Sequence, residues 1–285
     1  MKTISTLRRV ALATIGIGMT FAFTSCEELF NSETQTFDTS AALKEALSIG
    51  AQTAAINLGK DGGYMNDAAV KIGVPEEVST VMELASTDAG QTVLSLMGAE
   101  VFNDGELIQL MNKAAEKAAP QSAAIFADAI LGMTIKDADN ILFGAQNAAT
   151  EYLRATTYAG LTVVFGEVVT GVFDQVSVGG RTLNDAWTGF TQYYNGLTNK
   201  ISNFNNRTDL KSLLAKAALK EVNAELYNKV FSLQPVNTNL GEYVTCKALD
   251  GLFVKVEEKE KGIRTDVSQR TTDLLRKVFG QLDEQ

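Results

Sequence analysis

The chain has 285 residues, 45% of them hydrophobic and 21% charged, enough for one sizeable core, and it contains no histidine. That absence excludes a Ser-His-Asp triad, a Cys-His dyad and a His-based zinc site, and nothing else in the sequence calls for a metal or a cofactor. The formal net charge is −9, and −12 once Lys2, Arg8 and Arg9 of the leader are set aside, so nucleic acid is not an expected partner: phosphate binding needs clustered Lys and Arg.

Residues 1–25 read as a signal peptide: a basic start, an apolar run from Val10 to Phe23, then small polar residues before Cys26. The segment Phe23 to Cys26, FTSC, resembles the relaxed lipobox of Bacteroidota lipoproteins. The resemblance implies cleavage after Ser25, lipidation of Cys26 and a membrane partner reached through that anchor. Two or more acyl chains hold a protein firmly where one does not. Glu27 and Glu28 resemble a surface-export signal, which leaves two locations open, the cell surface and the periplasmic face of the outer membrane. Residues 26–40 read as a tether. Cys246 shares a helical spacing with Leu249, Phe253 and Val256, and is expected to be a small core residue.

From Ser40, an expected N-cap, the pattern is helical throughout. Leu43, Ala46, Leu47, Ala51, Ala54 and Leu58 form one stripe. Three glycines in 59–67 predict a turn with positive φ. Pro75 opens a helix over 76–86, a second short helix covers 89–98, and Asn103 or Asp104 caps a long one. The stretch 106–157 is rich in Ala and carries Asn112, Glu116, Asp128, Asp137 and Arg154 among its apolar residues. Within it Thr134 and Asp137 form a capping box. Residues 158–178 are rich in Val, yet their apolar spacing is helical; residues 177–185 read as a loop, and no hairpin is predicted. Trp187, Phe190, Tyr193 and Tyr194 cluster on the next helix, expected to pack internally. Thr208 is expected to cap one helix whose apolar residues fall at 210, 213, 214, 217, 222, 226 and 230. Pro235 and Gly241 mark a loop, and helices over 243–264 and 267–278 finish the chain. The fold class is all-α, about ten helices in a single domain spanning 41–280.

Several segments together carry a resemblance: LKEALSIG, GGYMNDAAVKIGVPE, MNKAAEKAAP, DAILGMTIKDADNILFGAQNAATEYLRATT and the run from Tyr243 to Gly280. In this order they resemble an uncharacterised bacterial lipoprotein family, domain of unknown function 4197. The resemblance implies an exported helical domain and brings no activity, substrate or cofactor.

The charged residues of these segments include Glu116, Asp128, Asp137, Arg154, Asp250, Glu260, Arg264 and Asp273, and Asn112 shares a helix face with Glu116. One reading makes them caps and ion pairs that set helix register, a role that suits the bidentate fork of Arg. A second has Asn112, Glu116, Arg154, Asp250, Glu260 and Arg264 converge on a polar cleft for an anionic or zwitterionic ligand. A third uses two carboxylates for hydrolysis or lysis, which needs them roughly 5–10 Å apart across an open groove. The expected function is a membrane-anchored binding or interaction module for an unknown small ligand or envelope protein; the alternatives are a structural envelope protein and a carboxylate-based hydrolase or lyase.

Overall fold

The computed structural model describes residues 39–99, 105–236 and 239–283. The signal segment, Cys26 and nearly all of the tether lie outside the described residues, as do Asn103 and Asp104. Among the described residues there are twelve α-helices and one two-stranded ribbon. They are α1 (Thr39–Leu58), α2 (Glu76–Ser86), α3 (Asp88–Met97), α4 (Gly105–Ala118), α5 (Ser122–Leu131), α6 (Ile135–Leu142) and α7 (Ala148–Gly171), then β1 (Ser177–Val178) and β2 (Arg181–Thr182), then α8 (Leu183–Asn205), α9 (Leu210–Val222), α10 (Ala224–Phe231), α11 (Leu240–Thr265) and α12 (Asp273–Phe279).

The 26-residue α11 is the axis. It packs on α7, α1, α4 and α12, while α5 and α6 fill the sides between α1 and α7. A second layer of α2, α3, α8, α9 and α10 joins this bundle chiefly where α8 meets α4. One continuous apolar core runs through both layers. The whole expected α1 stripe is buried. Phe190 and Tyr194 are buried too, with Trp187 stacked on Phe190 at 5.3 Å, so the aromatic cluster is packing.

Sequence signals for helix ends hold where a side chain closes its own backbone. Thr134 and Asp137 form the expected capping box. An equivalent box, Thr182 and Asp185, starts α8. Elsewhere the ends move. Helix α1 already includes Thr39, so Ser40 sits inside it and is buried. Asp209, not Thr208, caps α9 by accepting from Ser212 N. Of the glycines in 59–67 only Gly62 has positive φ, at 77°. Gly241 belongs to α11, where a Cβ would stand 2.9 Å from Thr170 Cγ2.

Three larger differences have tertiary causes. Helix α7 stops at Gly171, and Ser177–Val178 pairs with Arg181–Thr182 around Gly179 and Gly180, whose φ of 59° and 85° suit a tight hairpin. The expected single helix after residue 208 is two, because Asn223 is extended and its side chain caps α10 through Leu226 N. Finally, α9 buries Ser212, Ala215 and Leu219 and turns Leu210, Leu213 and Leu214 outward. Cys246 is half-buried at the edge of the core, beside Tyr158, rather than within it.

Candidate functional site

The residues singled out by sequence separate into three places. The first is a brace on α4. Asn112 is fully buried and clamps Ile72 from both sides: its Oδ1 accepts from Ile72 N at 2.9 Å, and its Nδ2 donates to Ile72 O at 2.9 Å. One turn on, Glu116 Oε1 accepts from Tyr64 N at 3.2 Å and Met65 N at 3.4 Å. The i, i+4 spacing thus sets two polar side chains on one face to pin the irregular segment between α1 and α2. Tyr64 is buried under that segment and donates from its hydroxyl to Ala248 O on α11 at 2.8 Å. Burial, followed by the charge of Glu116, holds the Tyr64 phenol far above its ordinary range. Gly251 lets α11 come this close: a Cβ there would meet Tyr64 Cε1 at 2.9 Å.

The second place is a buried ion pair on the last turns of α11. Glu260 accepts from Ala149 N at 2.9 Å, Thr150 N at 2.8 Å and Thr150 Oγ1 at 2.7 Å. These are first-turn groups of α7, so a carboxylate from another helix does what a local cap would do, and its charge suits the helix N-terminus. Arg264 donates from Nε to Glu260 at 3.0 Å, and from its two terminal nitrogens to Leu142 O at 2.9 Å and Ile141 O at 2.7 Å. The pair therefore locks the end of α6 and the start of α7 onto α11. The gap beside it, lined mainly by α1 and α11 side chains, holds about 10 Å³, room for no more than a water.

Sequence reasoning passed over a further arginine of the same kind. Arg270 is 1% exposed and donates to Ile263 O, Arg264 O and both oxygens of Asp283, closing the C-terminal end of α11. The hydrogen bond from Arg270 holds the Asp283 carboxyl below the usual carboxylate range. A lone Arg outside any regular stripe gave no periodic signal to find it by.

The third place lies at the surface. Arg154 on α7 rests over the Phe253 ring at 4.5 Å and approaches Asp250 on α11 at 3.6 Å, with side chains 35% and 52% exposed. Asp250 also lines a surface cleft of about 330 Å³ between residues 69–73 and α11, where Lys71, Tyr243 and Lys247 stand. Tyr243 donates to Gly73 O at 3.0 Å, so the rim is tied to the helix. A second polar cleft, about 370 Å³, is lined by Asp61, Lys113, Glu116 and Lys117 beside Gln175–Ser177. Of the other charged positions, Asp137 is the α6 cap, Asp273 pairs with Arg276 and Asp128 is exposed.

Chemically, these places differ. The carboxylates of Glu116 and Glu260 and the guanidinium of Arg264 are engaged by backbone groups inside the fold. Arg154 and Asp250 are the two of the six that meet solvent broadly, and Asp250 alone of that pair borders a cleft with cations on its rim. No curated protein and no solved structure matches the chain. The family model described as Protein of unknown function (DUF4197) matches residues 33–280, and the chain therefore belongs to that family.

Proposed function

We propose that the chain is an outer-membrane lipoprotein, held through lipidated Cys26, whose helical domain is a binding module. Its ligand site is the cleft between residues 69–73 and α11. The observation that carries this is the meeting of two family-bearing segments, GGYMNDAAVKIGVPE and YVTCKALDGLF, at one open cleft with Lys71, Lys247 and Asp250 on its rim. Two cations beside one carboxylate suit a small anion or a zwitterion, and the clamp of Asn112 on Ile72 keeps the rim in place before any ligand arrives.

The test is thermal unfolding with glutamate, a dipeptide and inorganic phosphate added in turn. At least one should give a saturable rise in Tm that Lys247→Glu abolishes without changing the unliganded Tm. No rise with any of them, or a rise that survives Lys247→Glu, refutes the site. Anchoring is read separately, as incorporation of labelled palmitate that Cys26→Ser removes. The second reading, an envelope protein with no small ligand, is favoured by one observation: Asn112, Glu116, Glu260 and Arg264 are all committed to holding the fold.

A further inference from the structure

Helix α9 faces the wrong way for a core helix. It gives Ser212, Ala215 and Leu219 to the protein and leaves Leu210, Leu213, Leu214 and Val222 at 72, 48, 61 and 65% exposure. The first three leucines, with exposed Ala217, follow i, i+3, i+4, i+7 spacing and so form one contiguous apolar strip along the solvent side. Lysines border it on both flanks: at 100° per residue Lys211 falls on one side and Lys216 and Lys220 on the other.

The charge around this strip runs against the rest of the chain. Residues 200–222 hold five cations, Lys200, Arg207, Lys211, Lys216 and Lys220, against Asp209 and Glu221, in a protein of net charge −9. Among the described residues none of the five cations forms an ion pair with a carboxylate, and Arg207 acts on Asp209 only through space. Lys216 donates to Asn205 O and Arg207 O, Arg207 to Leu96 O and Lys200 to Gly98 O, all carbonyls at the ends of α8 and α3. An apolar strip flanked by cations is the pattern of a helix that lies in the plane of an anionic bilayer surface.

We propose that α9 docks the domain on a lipid bilayer that carries anionic headgroups, with Leu210, Leu213 and Leu214 inserted among the acyl chains and Lys211 and Lys220 at the phosphates. The proposal rests on the Cys26 anchor reading for its setting. Only twelve residues separate Cys26 from Thr39, which spans at most about 45 Å, so a domain anchored there cannot leave the neighbourhood of the membrane.

The core closes within the compact unit Phe37–Gln285, so the chain from Glu27 onward can be tested without acyl groups or leader. It is floated with vesicles of phosphatidylethanolamine and phosphatidylglycerol, and separately with phosphatidylcholine alone. Binding is expected to the first and not the second, to weaken with salt, and to fall by about tenfold or more in Leu210→Ser/Leu214→Ser. Lys211→Glu/Lys220→Glu should lose the preference for phosphatidylglycerol while keeping the wild-type Tm. Absence of binding, or binding unaltered in the leucine variant, overturns the proposal. So does a concentration-dependent dimer in sedimentation that the leucine variant abolishes, because a second copy would then cover the strip. Palmitate labelling at Cys26 is independent of these outcomes and separates a failed anchor from a failed docking face.

Discussion

Replacing Glu260 by Ala should be among the most damaging single changes in the domain. The substitution takes three donors' partner away at once, Ala149 N, Thr150 N and Thr150 Oγ1, and strands the Arg264 guanidinium in the interior. Removing one member of a buried pair costs about 3–5 kcal/mol, because the survivor's desolvation is no longer offset. Against a total stability of about 5–15 kcal/mol this is a large share. At about 2–4 °C per kcal/mol for a domain of this size, Tm should fall by about 6–20 °C. In urea, with a slope near 3 kcal/mol/M, the midpoint should drop by about 1.0–1.7 M with the slope unchanged. Arg264→Met should cost a similar amount, since Ile141 O and Leu142 O lose their donors. The double variant should cost at least about 1.5 kcal/mol less than the sum, since each single change strands a charge that the double change removes. Unfolding followed by far-ultraviolet circular dichroism checks all three. A Glu260→Ala loss under about 1 kcal/mol, or strict additivity, would show that the pair does not lock α6 and α7 to α11.

Asn112→Ala should cost about 2 kcal/mol and speed amide exchange at Ile72, whose N–H and C=O both lose their partner. Gly251→Ala should cost about 1–3 kcal/mol by pushing on Tyr64 and Val70, measurable as a lower urea midpoint. Arg154→Ala should leave the protein folded with a loss of no more than about 1 kcal/mol, since its ion pair is loose and half-exposed and its ring contact is at the surface. The carboxyls of Asp137, Asp185, Asp209, Asp266 and Asp283 are all held low, chiefly by hydrogen bonds from Thr134, Thr182, Ser212, Ser268 and Arg270. Their folded pKa values lie below the unfolded 3.8, so the stability they contribute is present above that pH and is lost as pH falls through the folded values. Urea midpoints measured downward from about pH 5 should therefore decline, and Thr134→Ala with Thr182→Ala should flatten the decline.

Features that a chain makes with its own near neighbours were legible without coordinates. The α1 stripe, the Thr134–Asp137 box and the break after Leu58 rest on spacing and local hydrogen bonds. The Thr182–Asp185 box and the Gly179–Gly180 turn obey the same local rules, yet the reading of residues 177–185 as a loop misses both, although their signals are local. What spacing could not show is which of two apolar arcs faces inward. On α9 the leucine arc and the Ala215–Leu219 arc both satisfy a helical period, and the packing of α3 and α10 against the helix chose the smaller one.

The charged residues divide the same way. Composition established a chain without histidine, helical spacing gave the all-α class, and local pattern placed Asp137 in a cap. It could place Glu116 and Asn112 on one face, since four residues make one turn, but not the Tyr64 and Ile72 backbones they hold about 40 to 50 positions away in sequence. Glu260 caps a helix that begins 112 residues earlier, and Arg264 seals another still further back. Such partners are brought together by the burial of α11 among α1, α4 and α7. Once that core closes, a carboxylate or guanidinium inside it must find unpaired backbone groups, and only the tertiary structure decides which helix ends supply them.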